Sequence, residues 1–469
     1  MKIVIPVVAA ILTGCVAKAP DSRIGAVSKT APPRWFATPE AKAGIDTRWV
    51  RRVGGSRGDS LVAEALRSNP DMRVAAERVK RAELAARTAG AAMNPQVSAG
   101  LDGSRQKQIF VGFPFGDGGV PSSISENFGA NLIVSWEPDL WGSGRAGQAA
   151  LIADAQAEGN SYRAARASLA AQVLRAWLAL SEANEQIALA REAEALLDAT
   201  LEIVRDRFTS ALTEEGGSAA QFRLAESEVA NNEAVLAQRM GEREQAIRQL
   251  EVLMGRYPKG AIQSAETLPK IPPMPPAGLP SELLLRRPDI LEAERRFASS
   301  GSLVKQAKYA LYPSFKITAR GGATTDSLSK IFNSDFGVWS LAGAVTQPIW
   351  AGGAVKSEYA RIKSNDRSNL ARLQSTVFKA FGEVEQALVA ERFLAAREVA
   401  VSKALNSSTA AAEAASSDYS GGTGDALTLI TAQTNLINLS TQLVSLRRLR
   451  LDSRITLHLA LGGDYRSGK

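Results

Sequence analysis

The same landmarks occur twice along this chain, in the same order, and that duplication restricts its fold more than any other feature. Asn69-Pro70-Asp71 opens one Ala- and Arg-rich stretch, and Arg287-Pro288-Asp289 opens another. Asn94-Pro95 and Tyr312-Pro313 follow at the same offset. Trp141-Gly142 and Trp350-Ala351, then Met254-Gly255 and Leu461-Gly462, follow at a slightly smaller one. The first copy therefore has the longer loop, between residues 104 and 128. Self-similarity of this kind means one supersecondary unit used twice.

The copies span residues 60–262 and 281–462, with a short tail over 463–469. Between them, residues 263–280 are dense in proline, which fits a stiff extended connector. Residues 15–59 are rich in Pro, Gly and Arg with weak periodicity, and read as an extended arm on the surface. Each copy opens with a helix, from about Ser60 to Ala92 and from about Ser281 to Ala310, stopped by the X-Pro pairs. Alternating segments come next. Phe128, Ala130, Leu132, Val134 and Trp136 share one face; Phe315, Ile317 and Ala319 alternate with Lys316, Thr318 and Arg320; Trp339, Leu341 and Val345 alternate with Ser340 and Thr346. Gln96 to Ser104 alternates more weakly. Period two with one polar face is a half-buried strand, and about ten residues is the length of a tilted membrane-crossing strand. A soluble hairpin has the same alternation.

Long helices follow the strands. Leu169, Val173, Ala176, Leu180, Ala183, Ile187 and Ala190 keep the four-three spacing of a heptad seam inside a proline-free run from Gly144 to Phe208. The run turns near Glu214–Gly217 and returns to about Gly255. The second copy repeats the pattern, with Val377, Phe381, Val384 and Leu388, a turn at Gly421–Gly424, and Leu436, Leu439, Leu443 and Leu446.

Composition excludes several chemistries. One Cys and one His among 469 residues leave no disulfide framework, no structural zinc site and no Cys/His cluster. The net charge of +8 is spread along helices mixed with Glu, so Arg447-Arg448-Leu449-Arg450 reads as a solvated helix face and no nucleic-acid partner is expected. Residues 1–14 carry Lys2, a short apolar run and Leu12-Thr13-Gly14 before Cys15. The run is far below the roughly 20 apolar residues of a spanning helix and reads as an export signal.

Two strands per copy give four per chain. Four cannot close a barrel, and open edges in lipid leave unpaired backbone groups. If the strands span a membrane the chain must oligomerise, and three chains would supply twelve strands, an even number within the bacterial range. On the polar face, Lys316 and Arg320 would line the pore and bias it toward anions.

Two motifs suggest other chemistry. Gly142-Ser143-Gly144-Arg145-Ala146-Gly147 matches a dinucleotide fingerprint, but it follows an alternating strand and opens a helix several times too long. Gly54-Gly55-Ser56-Arg57-Gly58 matches a nucleophile elbow without the buried strand such an elbow needs. His458, on a helix near the C-terminus, reads as a packed or solvated residue.

With these residues in place, the chain resembles the TolC-like outer membrane factors, in particular the lipoprotein branch of drug-efflux and nodulation-type exporters. The carriers are Leu12-Thr13-Gly14-Cys15, Trp136-Glu137-Pro138-Asp139-Leu140-Trp141-Gly142, Leu283-Leu284-Leu285-Arg286-Arg287-Pro288-Asp289-Ile290 and Gln347-Pro348-Ile349-Trp350-Ala351-Gly352-Gly353. The resemblance implies an α+β membrane protein, internally duplicated. It implies a homotrimer whose twelve-stranded β-barrel in the outer membrane continues as a long periplasmic α-helical barrel. It implies a passive duct, not an enzyme, that takes small molecules from a periplasmic adaptor and an inner-membrane pump. The covalent lipid on Cys15 is the only prosthetic group implied. Docking of the adaptor would fall at the hairpin turns, on Phe208, Leu212, Thr213, Tyr419, Gly422 and Thr423. Relatives often place an acid before Ala-Gln at the closed periplasmic mouth; here Thr431 stands there, with Asp418 and Asp425 nearby but not equivalent. The outer component of a type I protein-secretion system is the alternative on the same fold. A pore-less helical scaffold lipoprotein is the alternative of another class.

Overall fold

The computed structural model describes residues 17–37, 48–111, 121–211, 218–262 and 267–463. In chain order the elements are α1 (Trp49–Ser68), α2 (Pro70–Ala91), β1 (Gln96–Ile109), β2 (Ser122–Trp136), α3 (Ser143–Ala211), α4 (Ala219–Leu253), α5 (Pro288–Tyr309), β3 (Ser314–Thr325), β4 (Gly337–Thr346), α6 (Ala354–Ser420) and α7 (Ala426–Ala460). Single helical turns lie at Gly25–Ser28 and Pro280–Leu283. The order helix, strand, strand, long helix, shorter helix occurs twice, as the repeated landmarks predict. The long helices have 69 and 67 residues, on the order of 100 Å of helix axis each.

The duplicated landmarks have a physical reason. Pro70 and Pro288 are the first residues of α2 and α5, where a missing N–H costs nothing. Asn69 caps α2 by accepting the N–H of Asp71 at 2.8 Å, and its amide donates to the Leu253 carbonyl at the end of α4. In the second copy Arg287 donates to the Ala460 carbonyl at the end of α7, at 3.0 Å. Gly255 and Gly462 end α4 and α7 with φ of 68° and 76°. A side chain at Gly255 would meet the Ser68 carbonyl at 2.7 Å. Each repeated X-Pro-Asp is therefore seated on the helix end that carries the repeated glycine.

The chain divides into two compact units. One comprises the described residues within 1–23, 79–158 and 293–372 and contains the sheet. The strands run β1-β2-β3-β4, each antiparallel to its neighbour, so β2 pairing with β3 joins the two copies. Part of the extra length in copy one, assigned to a loop from the sequence, lengthens this hairpin instead, since β1 runs to Ile109 and β2 starts at Ser122.

The other unit comprises the described residues within 24–78, 159–292 and 373–469. Its largest core joins Trp49, Val53, Leu61 and Val62 of α1 to Leu174, Trp177 and Leu178 of α3, Ile247 and Leu250 of α4, and Leu451 and Ile455 of α7. All seven seam residues from Leu169 to Ala190 are buried, and so are Val377, Phe381, Val384 and Leu388. A second, ionic contact joins α6 to α7. Buried Glu391 lies 2.7 Å from Arg450 and 3.0 Å from Arg454, and Glu398 takes the other side of Arg450. Burial pulls the Arg454 guanidinium below its ordinary range despite Glu391.

Two expectations are corrected here. The extended arm was placed through residue 59, but α1 begins at Trp49. Its apolar positions Trp49, Val50 and Val53 are interleaved with Arg and Gly, which hides the period. The helix expected from Ser60 to Ala92 is also two helices, broken at Asn69-Pro70. Within the arm, Trp35 is buried rather than superficial: its indole N–H donates to the Gly278 carbonyl at 3.0 Å and its ring meets Phe381 edge-on.

Candidate functional site: a two-faced sheet and a helical tip

The register sorts the sheet into two faces, because directly opposed residues point the same way. One face carries Val97, Leu101, Phe128, Leu132, Val134, Trp136, Phe315, Ile317, Trp339, Leu341 and Val345. The other carries Gln96, Ser98, Asp102, Ser104, Asn127, Asn131, Ser135, Lys316, Thr318, Arg320, Ser340 and Thr346. The apolar face is largely uncovered; Leu101 is 83% exposed and Trp339 84% exposed. A sheet in water hides its apolar face and wets the polar one. Here several large apolar side chains are bare, the arrangement of a strand that meets lipid. Arg105 and Glu126 also lie on this face, paired at 3.2 Å, followed toward the loop end by Lys107 opposite Ile124 and by Ile109.

Aromatic groups gather where the strands meet the helices. Trp136 donates to the Met93 carbonyl at 2.9 Å and Trp141 to the Pro313 carbonyl at 2.7 Å. Trp141 stands 5.3 Å from Tyr312, which is 6.3 Å from Tyr309, and Trp350 is bare. A cleft of roughly 780 Å³ opens among Met93, Asp139, Trp141, Tyr309, Tyr312 and Pro313. Indoles and phenols with one polar contact and one free apolar edge are the composition of a membrane interface.

Lys316 and Arg320 share the polar face, as the alternation predicts. Arg320 does not stand free, since its Nε donates to Asn131 Oδ1 at 2.9 Å. Among the described residues, no helix is long and apolar enough to cross a membrane.

At the far end of the long helices, Val204 of α3, Ala225 of α4, Tyr419 of α6, and Ala426, Leu429 and Ile430 of α7 form one small core. The Phe208 ring stacks on Phe222 at 5.5 Å. The Arg207 guanidinium lies 4.1 Å from the Tyr419 ring centre and also donates to the Tyr419 carbonyl. Burial raises the Tyr419 phenol above its ordinary range, although Arg207 pulls the other way. The ring presents its face to the cation.

Tyr419, named from the sequence among the docking residues, is covered by its neighbours within this chain. Its ring is 4% exposed and belongs to the tip core. Gly422 and Thr423 form the exposed turn: Gly422 has φ of 82°, and Thr423 donates to the Asp418 carbonyl through both its backbone N–H and its hydroxyl. Asp425 is the N-cap of α7, accepting the Thr428 N–H at 3.3 Å, and also takes a hydrogen bond from Gln221. Thr431 is exposed on α7, between buried Leu429 and Ile430 and buried Gln433, which donates to Thr200 at 2.8 Å. Asp418 is exposed at the end of α6. Leu212, Thr213 and Cys15 lie outside the described residues. Sequence reasoning missed Arg207, Phe222, Asp102 and Asn131. Their partners are on other elements, and no local spacing marks them.

The two decoy motifs resolve into packing. Gly142, with φ of 86°, ends the bend from β2, and residues 143–147 are the first residues of α3. Gly54 and Gly58 lie inside α1, and a side chain at Gly54 would strike Leu174 at 2.4 Å, so these glycines let α1 settle on α3. His458 is buried and stacks on Trp49 at 5.6 Å.

Known proteins fit this geometry. The pyoverdine export outer membrane protein OpmQ of Pseudomonas aeruginosa is 28% identical over 96% of this chain and 93% of its own length. The probable outer membrane lipoprotein SilC of Salmonella typhimurium is 25% identical over 97% of each. Among solved structures, the outer-membrane channel OprN superposes with a TM-score of 0.86 at 24% identity, covering 95% of this chain and 99% of that one. The sequence profile described as "Outer membrane efflux protein" matches residues 61–256 and 279–463. This chain belongs to the outer membrane efflux protein family.

Proposed function

We propose that three copies of this chain close one twelve-stranded barrel in the outer membrane, and that their long helices continue it as a periplasmic duct for small-molecule efflux. The observation that carries this reading is the sheet itself. Its apolar face is bare, its opposite face is polar, and among the described residues β1 pairs only with β2 and β4 only with β3. In hydrocarbon each unpaired N–H or C=O costs several kcal/mol, so the edges must find partners in other chains. A pore-less scaffold would need neither the bare apolar face nor the polar one behind it.

The mechanism is geometric. The wall offers a polar path and makes or breaks no bond. Opening requires that a periplasmic adaptor bind one arrangement of the helical turns more tightly than another, and that difference in affinity sets the shift. Phe208 and the turn at Gly422–Thr423 are the adaptor surface in this reading, and Thr431 lies at the constriction. An inner-membrane pump supplies the energy. That OpmQ is named for pyoverdine export supports a small molecule, rather than a protein, as cargo.

Purified protein should give stepwise conductance in planar bilayers and crosslink as a trimer; a species that crosslinks only as a monomer and never conducts would sink the reading. The lipid on Cys15 is part of the same proposal, supported by the lipoprotein relative SilC. Metabolic labelling with palmitate should mark the wild type and not Cys15→Ser, and equal labelling would remove the lipid from the account.

A further inference from the structure

Three of the residues on the polar face of the sheet are charged among those described: Asp102 on β1, and Lys316 and Arg320 on β3. Two of them are not independent. Asn131 of β2 stands between Gly100 of β1 and Gly322 of β3 in the register, so neither neighbour covers it with a side chain. Asp102 leans across from its own position opposite Gly129. A side chain at Gly129 would come within 2.8 Å of both carboxylate oxygens. Arg320 leans over from its place opposite Ile133. The Asn131 amide then donates to Asp102 Oδ1 at 2.8 Å and accepts from Arg320 Nε at 2.9 Å. Both charged side chains fold over Asn131 and leave it only 7% exposed on a face that is otherwise open.

The chemistry at the centre is specific. A carboxylate only accepts and a guanidinium only donates, so a group linking them must offer a donor to one and an acceptor to the other. A primary amide does this in one planar unit. A hydroxyl is too short to span both neighbouring strands, and an apolar residue would strand both charges.

We infer that Asp102, Asn131 and Arg320 form a charge-compensating bridge laid flat on the wall of the conduit, and that it sets the ion preference of the barrel by holding Arg320 out of the current. This rests on the conduit reading above. It also revises the expectation that Lys316 and Arg320 act alike: Lys316 is the cation that permeating ions meet, and Arg320 is masked by Asp102. Removing the carboxylate should unmask Arg320. Removing the amide should do so without altering any charge, because the freed guanidinium reaches further from the wall than the freed carboxylate.

The test is the chloride-to-potassium permeability ratio, from reversal potentials in planar bilayers. At about 0.01 M salt the Debye length is about 30 Å, so wall charges act across the lumen, and Asp102→Asn should raise the ratio about twofold or more. Asn131→Ala should move it the same way, although a count of charges foresees no change. Lys316→Gln should lower it. The double variant Asp102→Asn with Arg320→Gln should bring the ratio back toward the wild-type value. Asp102→Asn is isosteric and keeps an oxygen for Asn131, so an unchanged ratio in it counts against the bridge even if another variant fails to assemble. A ratio unchanged in Asp102→Asn, or in an assembled Asn131→Ala, overturns the bridge while the conductance itself persists. A wild-type protein that does not conduct would instead overturn the conduit.

Discussion

The Leu341→Arg variant should fall about tenfold or more in outer-membrane abundance and lose its trimer, while Ala342→Arg, one residue along, keeps both. Leu341 is in the middle of β4, opposite Ala319 and on the same face as Trp339 and Val345. Its side chain is 69% exposed, with no protein to shelter a charge. An arginine facing lipid near the midplane of a barrel costs about 2–4 kcal/mol, and a trimer would bear that cost in each of three chains. A tenfold change needs only about 1.4 kcal/mol. Ala342 lies on the polar face, opposite Thr318. An arginine there meets water, so the period-two contrast separates a lipid-facing wall from a strand that merely tolerates charge poorly. Fractionation followed by crosslinking reads both quantities. Equal abundance of the two variants would mean that neither face of β4 meets hydrocarbon.

Much of this architecture was legible in the sequence, for a reason visible in particular residues. The alternation from Phe128 to Trp136 and from Phe315 to Arg320 survives in the sheet, with Ile133 as its exception, because one face carries a continuous apolar band. The heptad seam from Leu169 to Ala190 is legible because a helix packed along one stripe has no freedom to place its large residues elsewhere. The duplication locates the strand pairs and the helix breaks before any pairing is known. What failed was what depends on other elements. Trp49 and Val53 are core residues of a helix whose glycines accommodate Leu174 of α3. Such a helix looks like a loop until its partner is known. The sequence places Tyr419 at a turn, but its packing against Val204 and Leu429 depends on two other helices. Asp102 and Arg320 are far apart in the chain, and only the register of β2 with both its neighbours brings them to one amide.

The second large effect is expected at the helical tip, where Arg207→Ala should raise the open probability of the isolated channel about tenfold or more. Arg207 is near the end of α3 and Tyr419 near the end of α6, so their contact ties the first helical hairpin to the second. The tie has two parts. The guanidinium covers the Tyr419 ring at 4.1 Å, and it also donates to the Tyr419 carbonyl, which accepts the Gly422 N–H as well. A partly desolvated cation–π contact contributes about 1–2 kcal/mol, and a hydrogen bond from a charged donor about 1.5–3 kcal/mol. Loss of both exceeds the roughly 1.4 kcal/mol that a tenfold shift between two arrangements requires. The Phe208 stack on Phe222 joins α3 to α4 and leaves the tie between the hairpins untouched, so Phe208→Leu should change the open probability far less. Arg207→Lys keeps the charge but cannot cover the ring with a planar group, and should fall between wild type and Arg207→Ala. Single-channel records of the four proteins in the same bilayer give the order directly. If Phe208→Leu raises the open probability as far as Arg207→Ala, general packing of the tip rather than the Arg207–Tyr419 contact sets it.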